Sequence, residues 1–406
     1  MNNKISVPPR TTVTLDIVNG DLEIFKHATV KGTEANATLR VSGTVYCEGD
    51  NTFECSLSAE SLKAEDTVTV HGDLEIQNDV EVEDGSLEVY GKMTAKSVDV
   101  DDTLCVSKDL IADDVEVGGN LKVDGNVKAK DLELCGTFES KGEVTAENIE
   151  ICGSLSIESK ADIKNLEVGG RAKVSGGIIH EIDVGGTFES SAALEFERID
   201  VGGIVKLTGR NRGEQIEVGG SFRVEGDLEF EEIDVGGRVE ITGLARGCEM
   251  EVGGRVDIGG SLELSGTLEV GGRADVSGEV TVKNIEIGGA LRARKATAKE
   301  RVEVGGSIAT REGVNARFVE IAKRGEVDGP INAEEVIIGK DARAGTVYGR
   351  EILLRTGANA QNLYGENITI ESHCRVNGEI HYTNQLRLEE SASLAKAPQK
   401  VEKLPF

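Results

Sequence analysis

Tryptophan is absent from this chain of 406 residues, and all aromatic residues together make up 3% of it. So small a supply argues against a large ligand pocket or a base-stacking platform and leaves Val, Ile, Leu and Ala to build the core. Proline is limited to 5 residues while glycine reaches 51, which excludes a collagen-like chain and a Pro-rich linker. No stretch approaches the roughly 18 apolar residues of a membrane-spanning helix. Positive charge is scarce: 45 basic residues face 73 acidic ones, a net charge of −28. That balance disfavours binding to nucleic acid or to an anionic membrane surface. The seven cysteines are odd in number and dispersed, unlike a disulfide framework. The start, Met1 to Arg10, lacks the apolar run of a signal peptide. Together these features point to a cytoplasmic protein with reduced thiols.

What the chain has in abundance is one motif. Ile216-Glu217-Val218-Gly219-Gly220-Ser221-Phe222-Arg223-Val224 recurs with variations, and its second glycine falls at Gly119, Gly136, Gly153, Gly170, Gly186, Gly203, Gly220, Gly237, Gly254, Gly272, Gly289 and Gly306. Every step is 17 residues except one of 16 and one of 18. A constant period over so long a stretch is the signature of a repeat array, in which each unit packs on its neighbours alone.

One unit read in full shows apolar pairs two apart: Ile149 and Ile151, Leu155 and Ile157, Ala161 and Ile163, with Leu166 and Val168 opening the next. Period two means strand. Three short strands per unit leave no room for a helix, so the chain is all-β: a single-stranded parallel β-helix (β-solenoid) of triangular cross-section with ~17 residues per coil. Leucine-rich, propeller, helical and calcium-binding nonapeptide repeats need other periods or residues. The spacing divides the chain into a flexible tail (1–12), irregular coils or a cap (13–98, with glycine markers Gly20, Gly43 and Gly72), and the regular repeat (99–322). Coils with fewer glycine pairs (323–392) and a second flexible tail (393–406) follow. About twenty coils at a strand spacing near 4.8 Å give a rod on the order of 100 Å.

The closing coils, with Gly378-Glu379-Ile380 and Leu386-Arg387-Leu388-Glu389-Glu390-Ser391-Ala392-Ser393-Leu394, resemble those of bactofilins, and so does the run from Val327 to Gly378. The resemblance covers the whole solenoid and is strongest from about 320 to 394. This rod is several times longer than that family's usual core. The resemblance implies a right-handed β-helix and a structural, polymer-forming cytoskeletal scaffold rather than an enzyme. It also implies nucleotide-independent, end-to-end assembly with copies of itself or with other bactofilin-like subunits.

An end coil has open strand edges and uncovered apolar columns. The residues expected to meet are Leu386, Leu388 and Leu394, with Phe406 from the tail, against Val13, Leu15 and Ile17. Phe406 has a second option, folding back as a cap.

Other chemistry is weighed residue by residue. The double glycines lack a following Gly-Lys-Ser/Thr and a helix, so they read as coil corners rather than a phosphate cradle. His27, His71, His180, His373 and His381 lack the converging partners of a zinc site, and neither a catalytic triad nor a cofactor loop stands out. No metal or cofactor is therefore expected. An acyltransferase-like enzyme would need a catalytic His at a coil corner. Cys135 and Cys152 share a position on consecutive coils, where a disulfide is geometrically conceivable, yet they read more simply as substitutes for the first glycine.

The least routine feature is a column of acids: Glu116, Glu133, Glu150, Glu167, Asp183, Asp200, Glu217, Asp234, Glu251, Glu269, Glu286, Glu303 and Glu320. Neighbours about 5 Å apart repel by roughly 0.8 kcal/mol in bulk water. Arg171, Arg238, Arg255 and Arg273 are placed to compensate. The alternative reading of the whole chain is a non-polymerising spacer whose acidic ladder binds cations or a basic protein.

Overall fold

Among the described residues all regular structure is β-strand. The structure is a computed structural model and describes residues 4–34 and 37–404. Alternating apolar residues turn inward at every second position. In Asp114–Val117 and Asn120–Val123, for example, exposed and buried positions alternate strictly. By contact the chain forms two compact units, Met1–Gly203 and Ile204–Phe406.

In the first unit, the strands Ser97–Val100, Thr103–Val106 and Leu110–Ile111 make one coil. The next three, Asp114–Val117, Asn120–Val123 and Val127–Lys128, each pair in parallel with the strand three earlier. Three strands per turn mean three faces. The inward residues Val115, Val117, Leu121, Val123, Val127 and Ala129 are buried and continue the columns above and below. Each fully buried Val, Leu or Ile contributes about 1.5–3 kcal/mol. Backbone donors at the corners are satisfied by the previous coil, as when the Gly118 N–H donates to the Val100 carbonyl at 2.9 Å.

The N-terminal coils are more regular than the glycine markers imply. Lys4 pairs with Asp21, Leu22 with Val45, Val45 with Leu62, Leu62 with Val80 and Val80 with Val98. Only the step from Leu22 to Val45 departs far from 17. The markers mislead because they lie on different corners: a Cβ at Gly43 would meet Gly20, whereas one at Gly72 would meet Ser56. Strands also occupy parts of both stretches expected to be tails. Lys4–Val7 pairs with Asp21–Ile24, and Gln399–Lys400 pairs with His381 and Tyr382.

The second unit repeats the three-faced coil, with Gln215–Val218, Ser221–Glu225 and Leu228–Glu229 stacking under Glu232–Val235, Arg238–Ile241 and Ala245–Gly247. Its corners explain the double glycine. A Cβ on Gly254 would overlap the carbonyl oxygen of Gly237, while one on Gly253 would stand 3.6 Å from that of Gly236. The second glycine is required by close stacking, and the first tolerates a side chain. Beyond Gly306 the corner changes type: Arg324, Asp341 and His373 take φ of 63°, 59° and 61°, the left-handed conformation that closes a tight turn.

Candidate functional site

Three sets of residues carry charge or exposed apolar surface in a pattern: the end coils, the acidic column and the corners.

The first coil has strands Lys4–Val7, Thr12–Thr14 and Ile17–Val18, each paired with the second coil on one edge. Val7 and Val18 are buried, but other apolar residues of this coil are open, and Ile17 points outward in register with the exposed Arg40. Ile17 is 65% exposed and Ile5 38%, and Val13 and Leu15 are half-buried, whereas Leu22 and Val30 of the second coil are fully buried. In the second unit, strand Ile380–Leu388 pairs along Leu363–Ile370. On its other edge, only His381 and Tyr382 are met by Gln399–Lys400. Leu386 is therefore half-buried and Leu388 is 48% exposed, although their partners Ile368 and Ile370 are buried. Leu394 is half-buried above Val376. Phe406 lies outside the described residues.

The acidic positions stack in register. In the first unit the partners run Glu116–Glu133–Glu150–Glu167–Asp183–Asp200. In the second they run Glu217–Asp234–Glu251–Glu269–Glu286–Glu303–Glu320. The column begins earlier than the repeat suggests, because Glu81 and Asp99 precede Glu116 in the same register. The 17-residue spacing carried back from Glu116 reaches Asp99, and Glu81 lies one further coil back at a step of 18. Burial, then Asp101 and Glu81, push the Asp99 carboxyl above its usual range. At the upstream end Lys63 bonds to Glu81, and downstream the column passes to Ile337.

The expected compensation by arginine is not what the side chains do. Arg238 pairs with Glu240 at 3.5 Å and Asp257 at 2.9 Å; Arg255 pairs with Asp257 at 2.7 Å and Asp275 at 3.5 Å; Arg273 pairs with Asp275 at 2.7 Å. These acids lie two residues after the arginines, on the same strand and the same outward side, closer than the acids across the corner. Burial raises the Asp257 carboxyl, but Arg255 and Arg238 outweigh it and hold the group below its usual range. Arg171 makes none of the ion pairs found among the described residues. Within the column itself, Asp200 is met by Arg198 at 3.6 Å, and Glu303 and Glu320 by Arg301.

A second column, not anticipated from the sequence, alternates in sign. In the first unit backbone bonds stack Lys96, Asp113, Lys130 and Glu147, with Lys164 4.0 Å from Glu147. In the second unit Lys283 faces Glu300 at 4.0 Å, Arg317 faces Glu334 at 3.6 Å, and Arg350 faces Glu366 at 3.5 Å. The signal is present in the sequence as opposite charges about 17 residues apart.

The histidines stay apart. His71 stacks on Tyr90, His180 contacts Glu197 at 2.8 Å, and His381 meets the Tyr364 ring edge-on. No group of three or more metal-ligating side chains occurs among the described residues, and no helix is long and apolar enough to cross a membrane.

Residues 61–161 match the model of the bactofilin family, described as polymer-forming cytoskeletal. The matched segment lies in the first unit and spans about a quarter of the chain, within the solenoid the resemblance covers and upstream of the 320–394 stretch where it is strongest. No curated protein and no solved structure matches the chain.

Proposed function

We propose, from the premise that residues 61–161 are a bactofilin segment of the polymer-forming cytoskeletal kind, that this chain is a structural scaffold of the cytoplasm that assembles end to end without nucleotide. The observation that carries the reading is the open state of column residues in the end coils: Ile5 is 38% exposed and Leu388 48%, although their register partners Leu22 and Ile370 are buried. Strands with a free edge and an apolar column beside it pair with another such edge unless something blocks them. The glycine corners favour assembly without nucleotide, because their space is filled by the carbonyls of the preceding coil. The interface is formed by Val13, Leu15 and Ile17 on one side and Leu386, Leu388 and Leu394 on the other, with Ile5 added from the exposed first strand.

Negative-stain microscopy of the purified protein without nucleotide tests this directly. Filaments are expected, and their loss in Ile5→Glu and Leu388→Glu proteins that keep a native β-sheet circular dichroism spectrum. Monodisperse particles at every protein concentration would sink the proposal. A second reading rests on the acidic column, whose carboxylates stack coil on coil in register: a spacer that docks a basic protein. A filament-free protein that binds a polylysine column and elutes with salt would favour it.

A further inference from the structure

The two exposed cysteines of the first unit sit together on a corner that neither the fold nor the proposed assembly uses. We infer that Cys135 and Cys152 form a dithiol site that captures a small cationic disulfide and closes into an intercoil Cys135–Cys152 bond. Leu134 and Ile151, the residues just before them, are register partners. The Cys152 N–H donates to the Leu134 carbonyl at 3.0 Å, and the Ser154 N–H donates to that of Gly136 at 3.1 Å. In-register stacking therefore continues through the corner on both sides of the cysteines. Neighbouring coils lie about 4.8 Å apart, inside the Cα separations of roughly 4.4–6.8 Å that a disulfide spans.

The surroundings isolate the pair. Cys135 N–H donates to Val117 O and Gly169 N–H to Ile151 O, so the column runs Gly118, Cys135, Cys152, Gly169. The flanking positions have no side chain to separate the thiols or cover them, and both cysteines are exposed. The Cys135 thiol is the first cause, ahead of burial, that holds the Cys152 thiol above its usual range, and it also hydrogen-bonds with it. Glu150 and Glu133 act in the same direction. These carboxylates belong to the acidic column, so the local field repels an anionic reagent and attracts a cationic one.

The chemistry balances with a low-molecular-weight disulfide as oxidant. One cysteine thiolate attacks a sulfur of the small disulfide and expels one small thiolate, leaving a mixed disulfide. The second cysteine, as thiolate, attacks the protein sulfur of that mixed disulfide and expels the other small thiolate. The two expelled thiolates take up the two protons lost by the cysteines. The small disulfide is reduced to two thiols and the cysteine pair is oxidised.

Cys248 is the internal control: it is exposed, like the pair, but its column neighbours are Glu231 and Gly266. The full-length protein is treated with cystamine, alkylated without reduction and mapped by peptide mass. The expected result joins Cys135 to Cys152 and leaves a cysteamine adduct on Cys248; in Cys152→Ser the adduct remains on Cys135. Separate adducts on Cys135 and Cys152, or free thiols there when Cys248 has reacted, overturn the inference. Cystamine should close the pair about tenfold or more faster than oxidised glutathione at low salt, with the ratio shrinking in 0.5 M NaCl. Equal rates would overturn the preference for a cationic partner.

Discussion

The two units share a coil and an acidic column but not an electrostatic balance. Met1–Gly203 has 18 basic and 40 acidic residues, a net charge of −22; Ile204–Phe406 has 27 basic and 33 acidic residues, a net charge of −6. The basic residues also differ in kind, with four arginines in the first unit and eighteen in the second. An arginine fork reaches two acids at once, and the second unit uses it so. Arg255 bridges Asp257 and Asp275, Arg294 bridges Glu279 and Glu312, and Arg301 bridges Glu303 and Glu320. Each such bridge ties a coil to the next. The first unit pairs its acids mainly through single lysines, such as Lys141 with Asp124 at 2.6 Å. One fold thus accommodates two surfaces: one cross-linked by charge, the other held by its core against its charge.

If that is right, matched cavities in the two cores should cost the same. Phe138 and Phe222 are both fully buried and both occupy the first inward position after a glycine corner. Phe138→Ala and Phe222→Ala should each lose about 3–5 kcal/mol, read by hydrogen-exchange mass spectrometry on the coils flanking each site. A clearly larger loss in the first unit would mean that its packing, and not only its surface, differs.

The coil itself was legible from residues: apolar pairs two apart, three pairs per period and a glycine pair at one corner leave few folds to consider. The position of the acidic column was legible for the same reason, since a period-two strand puts the residue between two buried ones outside. What escaped was everything that depends on neighbours brought together by stacking. Glu81 and Asp99 were missed because the glycine marker begins later than the column. Arg238 and Arg255 were assigned to acids across the corner, because linear spacing does not rank a same-strand acid and its next-coil partner above them. The corners of Arg324, Asp341 and His373 have no common sequence signature: a longer corner that turns on one left-handed residue replaces the glycine pair. The resemblance to bactofilins covers the whole solenoid and is strongest from about 320 to 394, whereas the family model matches residues 61–161.

Salt separates the units more gently than cavities do. Raising NaCl from 20 to 500 mM shortens the screening length from roughly 20 to 4 Å, below the spacing of the acidic column. Protection of the first unit's coils should increase, with its local melting rising by about 2–4 °C for each kcal/mol of repulsion removed. The second unit should gain little, since the same salt weakens its arginine bridges. A flat response in both would show that the column is already neutralised.

Acid acts on the same contrast with a smaller amplitude. Asp99 has a raised carboxyl, so ionisation disfavours its folded state, and that penalty lifts as pH falls toward its folded value. Asp257 is lowered, so its contribution is full above the ordinary carboxylate range and is lost as pH falls through its depressed folded value. Mild acidification from pH 7 should therefore tighten the coils around Asp99 first, and loosen those around Asp257 only below about pH 4. Hydrogen exchange corrected for intrinsic rates reads both, and Asp99→Asn should abolish the first change while leaving the second.

The smallest change addresses the cause most directly. Arg255→Lys keeps the charge of the second unit at −6 and removes only the fork. The ammonium can meet Asp257 or Asp275 but lacks the fork of Arg255, which holds Asp257 through Nε and Nη2 and reaches Asp275 from Nη2. If charge balance alone distinguishes the units, this substitution leaves the salt response of the second unit unchanged. If the fork matters, the coils at 255–276 should melt slightly earlier and begin to gain stability with salt, as the first unit does. The second outcome is expected, because a lysine leaves one of two stacked carboxylates facing the other without a shared cation.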